Sequence, residues 1–241
     1  MKHVLSYGGG VDSTALFLLM KYIEKVEFKA LFVNTQCEKP ETIEYVHTVM
    51  MARFDNIIEL SPNVRGHANL YDYCMAKKFV PSIANRWCTC DSKLKAINLF
   101  LKENFEKGKD LTIHIGIGWY EKERINQDKK TKYGFVKRYL LEEYNYSRQD
   151  CISIIKQYGL PVPIKSSCFF CPFQKKNEAR EYFDKHTDLA LKTIALEDNC
   201  KYPDMKLISG RWTLKEILPL KTKKLFDYMD DDKEVKSDGK V

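Results

Sequence analysis

Three consecutive glycines join a short apolar run to a longer one in Ser6-Tyr7-Gly8-Gly9-Gly10-Val11-Asp12-Ser13. The preceding residues, His3-Val4-Leu5, are typical of a buried strand, and the apolar run from Thr14 to Met20 is long enough to continue as a helix. Glycine lets the backbone approach an anion closely, and the N–H groups at a helix start hold negative charge. The octet therefore predicts a phosphate-binding turn between a strand and a helix, with a ligand-free glycine-rich turn as the alternative.

The octet departs from two common phosphate-binding patterns. No Gly-Lys-Ser/Thr follows at Walker spacing, and its consecutive glycines differ from the spaced glycines of the dinucleotide fingerprint. It resembles the Ser-Gly-Gly-x-Asp-Ser loop of the PP-loop ATP pyrophosphatases, which holds the β- and γ-phosphates of ATP while the bond between the α- and β-phosphates breaks. The resemblance implies that Asp12 and Ser13 act in catalysis, with Asp12 positioning Mg²⁺. It also implies that ATP is bound by Ser6, Tyr7, Gly8, Gly9, Gly10, Val11, Asp12 and Ser13.

Length and composition favour one main domain with an appendage, because 241 residues with 44% hydrophobic content can bury a full core. Apolar runs are too short to cross a bilayer and the N-terminus lacks a signal-peptide pattern, so we expect a soluble, cytoplasmic protein without a membrane partner. The net charge of +7 favours a polyanionic partner. The lysines are spread along the chain, however, so the charge can also serve solubility alone.

Apolar runs of strand length alternate with helical patterns through the first two thirds of the chain. Further strands are predicted at 28–33, 56–60 and 111–117, and helices at 41–54, 93–104, 148–159 and 177–196. This alternation predicts an α/β fold with a mainly parallel, Rossmann-like sheet and helices on both faces. We expect that domain to span 1–165, followed by a smaller irregular or helical cysteine-containing region over 166–228 and a disordered tail over 229–241.

Four more segments narrow the resemblance to the phosphoadenosine phosphosulfate reductase-like branch of the PP-loop proteins. They begin at Asn34-Thr35, Arg86-Trp87-Cys88-Thr89, Gly116-Ile117 and Lys165-Ser166-Ser167-Cys168, and together with the octet they cover about residues 1–180. Their order along the chain carries more weight than any single segment. The branch has a Rossmann-like nucleotide hydrolase fold, which agrees with the predicted sheet.

Three polar residues in these segments are candidate nucleotide contacts. Asn34 follows the second predicted strand, where ligands of open α/β sheets bind, but it also suits an ordinary turn. Arg86 and Lys93 stand at the two ends of one segment, so that Arg86 can hold phosphate oxygens as a fork and Lys93 as a point charge. Either can instead be a solvated charge at a helix end.

The segment Gly116 to Arg124 resembles the branch's Gly-Ile-x-x-Asp-Glu-x-x-Arg pattern. Tyr120 stands where the branch has an aspartate, while Glu121 and Arg124 match. The resemblance implies that Gly116 contacts the nucleotide, that Glu121 acts in catalysis, and that Arg124 neutralises charge on the α-phosphate. The alternative is a surface ion pair between Glu121 and Arg124, three residues apart on a helix.

A Cys-x-x-Cys turn at Cys168 and Cys171 can place two thiolates on one metal. The third predicted ligand is Cys88, which lies in a matching segment, and the fourth is Cys200 or Cys90. The resemblance to sulfur-handling enzymes favours a [4Fe-4S] cluster, with zinc as the alternative and a redox-active dithiol as a third reading. The remaining cysteines, Cys37, Cys74 and Cys151, are expected to be packing residues.

Together these features predict an ATP pyrophosphatase that adenylates an acceptor for sulfur transfer. The resemblance implies a nucleic acid acceptor, tRNA or DNA, a thiolation or phosphorothioation, and a sulfur-donor protein such as a cysteine desulfurase; a homo-oligomer is left open. One alternative is a sulfonucleotide reductase, although no Glu-Cys-Gly-type tail is present. Another is a non-catalytic, metal-clamped protein that binds nucleotide or nucleic acid.

Overall fold

The computed structural model describes residues 2–106, 111–127 and 135–218. The chain divides into two compact units: Met1–Gly66 with Thr89–Cys168, and His67–Cys88 with the residues from Phe169 onward. The predicted boundary at 165 falls near the division at Cys168, but no sequence pattern predicts that 67–88 groups with the C-terminal region. The predicted tail over 229–241 lies outside the described residues.

The first unit is built on one parallel sheet of five strands in the order β3-β2-β1-β4-β5. The strands are β1 (Lys2–Tyr7), β2 (Phe28–Val33), β3 (Ile57–Leu60), β4 (Leu111–Ile115) and β5 (Val136–Arg138). This topology confirms the predicted α/β class with its parallel, Rossmann-like sheet. Strand β5 was not predicted, because its three residues carry two cations and no apolar alternation.

Apolar side chains cover both faces of this sheet. Successive residues of a strand point to opposite faces, and Val4 and Leu5 of β1 accordingly belong to two different buried clusters. Leu5 packs with Phe17 and Phe32, whereas Val4 packs with Leu101. The layers on both sides therefore agree with the predicted architecture.

The helices predicted at 41–54, 93–104, 148–159 and 177–196 begin within two residues of helices that start at Pro40, Lys95, Arg148 and Lys176. The helices are α1 (Val11–Leu18), α2 (Pro40–Glu44), α3 (Leu70–Lys77), α4 (Trp87–Thr89), α5 (Lys95–Asn104), α6 (Lys122–Gln127), α7 (Leu140–Glu143), α8 (Arg148–Gln157), α9 (Lys176–Lys185), α10 (Thr187–Asp198) and α11 (Leu214–Ile217). The π-helical segments Leu19–Ile23, Tyr45–Met51 and Cys90–Leu94 continue α1, α2 and α4, and a 3-10 turn, Trp119–Glu121, precedes α6.

Two helix predictions have opposite outcomes. The capping box ahead of α8 is confirmed, since the Asp150 amide donates to the Ser147 hydroxyl at 3.2 Å and the Ser147 amide donates to the Asp150 carboxylate at 2.8 Å. The continuous helix predicted over 177–196 is wrong. The backbone of His186 has ψ of 69°, which is not helical and separates α9 from α10.

The second unit joins the segment 67–88 to the C-terminal helices through side chain to backbone and backbone contacts. The Tyr71 hydroxyl donates to the Lys192 carbonyl at 3.1 Å, and the Asn199 amide side chain donates to the Met75 carbonyl at 2.7 Å. The Lys201 amide donates to the Lys78 carbonyl at 2.8 Å. These long-range bonds explain why 67–88 belongs with α9–α11. Within the residues described, no helix is long and apolar enough to cross a membrane.

Strands β1 and β4 carry a histidine pair, formed by His3 near the amino end of β1 and His114 near the carboxyl end of β4. His3 Nδ1 lies 3.0 Å from His114 Nε2, and the ring of His114 is fully buried. Burial, followed by the positive charges of His3 and Arg138, lowers the pKa of His114 to about 4. The folded sheet therefore keeps this imidazole neutral.

This pair predicts a loss of stability in mild acid. Because the pKa of His114 is lower in the folded than in the unfolded state, the contribution to stability is complete above pH 6.5 and is lost as the pH falls towards 4. We expect His114→Gln to remove about 2 kcal/mol of the wild-type decline in unfolding free energy between pH 7 and pH 4, measured by urea unfolding. Equal declines in wild type and variant would contradict the assignment.

Candidate nucleotide-binding site

The glycine octet lies where β1 ends and α1 begins, at the carboxyl edge of the parallel sheet. Gly9 has φ of +69°, and Gly10 precedes α1 in an extended conformation. A Cβ on Gly9 would lie 2.9 Å from Val46 Cγ2 and 3.0 Å from Thr42 Cγ2. Both the backbone angle and this close approach require glycine at position 9.

The Ser13 hydroxyl forms hydrogen bonds with the backbone of the glycine loop. Its Oγ accepts hydrogen bonds from the amides of Gly8, at 3.2 Å, and Gly10, at 3.3 Å, and it donates to the Gly10 carbonyl at 3.1 Å. The hydroxyl is buried at the first turn of α1. Two loop N–H groups therefore point to one oxygen-sized centre at a helix start, which is the arrangement that binds anions.

Two residues outside the octet pack against it. A Cβ on Gly116 would lie 3.0 Å from the amide nitrogen and Cα of Ser13, so the chain leaving β4 touches the start of α1. Ser166 Oγ lies 2.6 Å from the position that a Cβ on Gly10 would occupy. Gly116 thus has a packing reason to be glycine. Ser166 was missed as a site residue, although it lies in a segment that matched the branch.

The aspartate of the octet forms an ion pair that the sequence did not predict. Arg148, the first residue of α8, approaches Asp12 Oδ2 at 2.8 Å. The other oxygen, Oδ1, is buried and accepts no hydrogen bond from the described residues. Burial lowers the pKa of Arg148, but the charge of Asp12 and the hydrogen bonds to Tyr120 and Asp12 raise it by more. The pKa of Arg148 therefore lies above its ordinary value. No spacing pattern links position 148 to position 12, so only the fold reveals this contact.

Tyr120, which replaces the branch's aspartate, faces the same ion pair. Burial, then its hydrogen bond to Asp12 and the charge of that carboxylate, raises the pKa of Tyr120 well above its ordinary value. Its phenol therefore stays protonated and serves as a hydrogen-bond donor. Cys151 lies nearby, and burial followed by the Asp12 charge raises the pKa of its thiol to about 12. This agrees with the prediction that Cys151 is a packing residue.

Two predicted members of the loop face the core. Tyr7 is buried between Phe17 and Phe32, and its hydroxyl lies 3.2 Å from Thr14 Oγ1. Val11 is buried in the same cluster. Only the backbone atoms of these two residues remain as candidate nucleotide contacts. The side chain of Tyr7 fills the space between β1, α1 and β2.

Asn34 and Lys93 are both engaged within the first unit. The Asn34 side chain donates to Glu59 at 2.7 Å and accepts from the Gln36 amide at 2.9 Å, as expected of a turn residue. Lys93 Nζ lies 3.0 Å from Oε1 of Glu38, whose side chain is fully buried. Lys93 therefore neutralises a buried carboxylate rather than standing as a solvated charge.

The two predicted arginines also have partners. Arg124 pairs with Glu121 at 2.5 Å, and both side chains are substantially exposed, which is the surface ion pair considered as the alternative. Arg86 belongs to the second unit, where its guanidinium lies 5.0 Å from the ring centre of Phe173. The structure therefore brings Asp12, Ser13 and Gly116 together and adds Arg148, Tyr120 and Ser166.

The first cysteine of the Cys-x-x-Cys turn lies beside the carboxyl end of β2. Cys168 Sγ is 3.7 Å from Thr35 Oγ1, and Cys168 forms an antiparallel bridge with Glu38. Beyond it, the amide group of Gln174 donates to the carbonyls of Phe169, at 2.6 Å, and Cys171, at 3.3 Å. A buried glutamine thus fixes the turn that carries Cys171.

The predicted metal ligands are distributed over both units. Cys90 and Cys168 belong to the first unit, and Cys88, Cys171 and Cys200 belong to the second. Cys90 is exposed, and the other four are partly buried. Among the residues that the structure describes, no group of three or more His, Cys, Asp or Glu side chains could hold a metal ion. The cysteine ligand set and the bound group stay predictions.

Comparison with known proteins identifies the amino-terminal part of the chain. Residues 2–117 match the family described as phosphoadenosine phosphosulfate reductase domain. Among solved structures, the U34-tRNA thiolase NcsA from Methanococcus maripaludis with its [4Fe-4S] cluster is similar at 14% identity and a TM-score of 0.44, over 83% of this chain and 70% of that one. The comparison with curated proteins found no match.

Substitution of Gly9 by alanine is expected to destabilise the fold more than the same substitution at a glycine that has positive φ but open space around it. Gly9→Ala would bring a Cβ against the buried side chains of Val46 and Thr42, whereas Gly159, with φ of +67°, has no atom within 4 Å of such a Cβ. We expect Gly159→Ala to cost about 1 kcal/mol of unfolding free energy and Gly9→Ala about 1–3 kcal/mol more, measured by urea unfolding. Equal losses would show that the loop can move away from α2.

Proposed function

Because residues 2–117 match the phosphoadenosine phosphosulfate reductase domain family, we propose that this protein uses its glycine octet to cleave ATP between the α- and β-phosphates. The observation that carries the proposal is the convergence of the Gly8 and Gly10 amides on the Ser13 hydroxyl at the start of α1. A phosphate oxygen that replaces the Ser13 hydroxyl as acceptor would meet the same two donors and the positive end of the helix dipole.

The site offers one carboxylate oxygen for a divalent cation. Oδ1 of Asp12 is buried and has no hydrogen-bond donor among the described residues, which fits an oxygen ligand of Mg²⁺. Magnesium, when bound, offsets the negative charge of the phosphates. Oδ2 remains paired with Arg148, which holds the carboxylate in place.

In this proposal Arg148 takes the electrostatic role first assigned to Arg124. Its charge is secured by Asp12 and it stands at the octet, whereas Arg124 is occupied by Glu121 on the surface. A fixed guanidinium stabilises the charge that develops when the α–β bond breaks. The protonated Tyr120 adds a hydroxyl donor to the same cluster.

The proposed reaction proceeds in two displacements. An oxygen of the acceptor attacks the α-phosphorus, the α–β bond breaks, and pyrophosphate leaves with the bonding electron pair, so that the acceptor carries AMP. A sulfur nucleophile from a donor protein then attacks the activated carbon or phosphorus, and AMP leaves with the acceptor oxygen. The net charge of +7 supports a nucleic acid acceptor. No step is assigned to a metal cluster.

A sulfonucleotide reductase is the second candidate, and the family match favours it directly. In that reaction a cysteine thiolate attacks the sulfur of an adenylyl sulfate, AMP or its 3′-phosphate leaves, and no ATP is consumed. The last cysteine in the sequence is Cys200, whose amide donates to the Glu197 carbonyl as α10 ends. The products formed from ATP distinguish the two candidates.

The products of ATP test the proposal. Purified protein with ATP and Mg²⁺, with and without tRNA or DNA, is expected to release pyrophosphate and AMP, detected by chromatography of α-labelled nucleotide. Asp12→Asn and Ser13→Ala should lower the rate by roughly 10- to 1,000-fold, since each removes a group that holds the loop or its cation. Asp198→Asn, an exposed surface change, is the control. Formation of ADP alone would refute the proposal.

The two arginines give an independent prediction. Arg148→Ala should lower the rate of pyrophosphate release by roughly 100-fold, whereas Arg124→Ala should change it by less than about threefold, because only Arg148 contacts the loop aspartate. Both variants should be checked for native circular dichroism. The opposite ranking would return the role to Arg124.

A further inference from the structure

Three segments of the second unit form one exposed surface, which we call the aromatic–basic patch. The segments are 82–87, 172–176 and 208–212. They are far apart in sequence, and none of the site residues in the first unit belongs to them. The large apolar side chains exposed on the aromatic–basic patch are Ile83, Phe173 and Trp212, with exposed fractions of 45%, 43% and 37%.

The patch is fixed by hydrogen bonds and by close packing. Ser209 spans the segment 172–174, because its amide donates to the Pro172 carbonyl at 3.0 Å and its hydroxyl donates to the Gln174 carbonyl at 2.6 Å. The Ile83 Cδ1 atom lies 3.1 Å from the position that a Cβ on Gly210 would occupy. Phe173, held between the two carbonyls that Ser209 contacts, is therefore presented to solvent by a rigid frame.

Each exposed aromatic ring of the patch has a cation over it. The Arg86 guanidinium lies 5.0 Å from the ring centre of Phe173, and Lys176 Nζ lies 3.9 Å from that of Trp212. Both distances are within the range of cation–π attraction. The cations are thus held next to flat apolar surfaces rather than dispersed in solvent.

The patch carries four cations and no carboxylate. Arg86, Lys175, Lys176 and Arg211 lie in the three segments, and all four side chains are exposed. Two acidic residues that lie close in sequence to these segments are engaged elsewhere. Glu178 accepts from the Lys175 amide at the start of α9, and Glu216 pairs with Lys206. The local surface is therefore strongly positive around exposed rings.

We propose that the aromatic–basic patch binds single-stranded nucleic acid, with unpaired bases on Phe173 and Trp212 and phosphates on the surrounding cations. Exposed aromatic rings beside cations are the combination that binds single strands, because rings stack on bases while cations track the backbone. Paired bases are stacked on each other and cannot reach the rings. This inference rests on the proposed function in one respect: the single strand that the patch binds would be the acceptor of the proposed reaction.

Binding of fluorescent oligonucleotides tests the patch without ATP. The probes are a 12-nucleotide single-stranded RNA, its DNA counterpart and the corresponding duplex, each measured by fluorescence anisotropy against wild-type protein. We expect the single strands to bind more tightly than the duplex. Phe173→Ala and Trp212→Ala should each weaken single-strand binding roughly tenfold. Tyr202→Ala is the matched control, because Tyr202 is an exposed aromatic of the same unit, lies under Lys201 and is outside the three segments.

Further variants separate stacking from folding. Phe173→Tyr and Trp212→Phe should keep most of the affinity, and Lys176→Ala should reduce the dependence of binding on salt. Absence of single-strand binding in the wild type, or equal losses in Tyr202→Ala and Phe173→Ala, would overturn the proposal. A third result would also overturn the proposal: Phe173→Ala and Trp212→Ala bind the oligonucleotides like wild type but lose a self-association that the wild type shows. The patch would then be a contact between copies of this chain.

The ATP assay keeps the two proposals distinguishable. If ATP yields only ADP while Phe173→Ala still loses affinity for the single strand, the patch stands and the proposed reaction fails. If pyrophosphate is released while Phe173→Ala and Trp212→Ala bind the probes as tightly as wild type, the reaction stands and the patch fails.

Discussion

The hydrogen bonds from the Gly8 and Gly10 amides to the Ser13 hydroxyl fix the turn on which the rest of the first unit depends. They turn the chain sharply from β1 into α1, so that α1 packs with a fully buried apolar face on the sheet. They also direct two backbone donors to one point at a helix start, where negative charge is stabilised. The same contacts thus serve packing and the proposed anion site.

Two ion pairs, Asp12 with Arg148 and Glu38 with Lys93, hold the charged side chains around the turn. Asp12 is held by Arg148, yet one of its buried oxygens has no donor in the part of the chain that the structure describes. The buried side chain of Glu38 is neutralised by Lys93. Removal of one partner of a buried pair leaves an uncompensated charge at a cost of several kcal/mol. Lys93 therefore has a structural reason to be cationic, and Arg148 is the arginine that the geometry places at the octet.

Sequence patterns predicted those parts of the molecule whose determinants lie close together along the chain. The octet, the apolar strand at 28–33 and the capping box at Ser147 each contain the groups that specify their backbone structure. The strand–turn–helix at the octet, the strand and the capping box are confirmed, while phosphate binding by the octet stays a prediction. The pairing of Asp12 with Arg148 and the fit of Ser166 against Gly10 depend on chain segments that only the fold brings together. The break at His186 and the short strand β5 lacked a local signal for the same reason.

Tyr7 and the segment 67–88 show two further limits. Tyr7 lies within the glycine octet, so sequence position favoured a ligand contact, but strand alternation turns its ring into the core against Phe17 and Phe32. The segment 67–88 is assigned to the second unit by bonds such as that of Tyr71 with the Lys192 carbonyl, which no local pattern reveals. The aromatic–basic patch depends on the same long-range association.

The central claim is that the Gly8 and Gly10 amides bind a pyrophosphate group. Titration of sodium pyrophosphate into ¹⁵N-labelled protein, followed by the amide resonances of these two glycines, tests it directly. The account predicts saturable shifts of both resonances, with Gly66 and Gly159 unchanged as glycines outside the loop. Saturable binding that leaves the Gly8 and Gly10 resonances in place, or no binding at all, would contradict it.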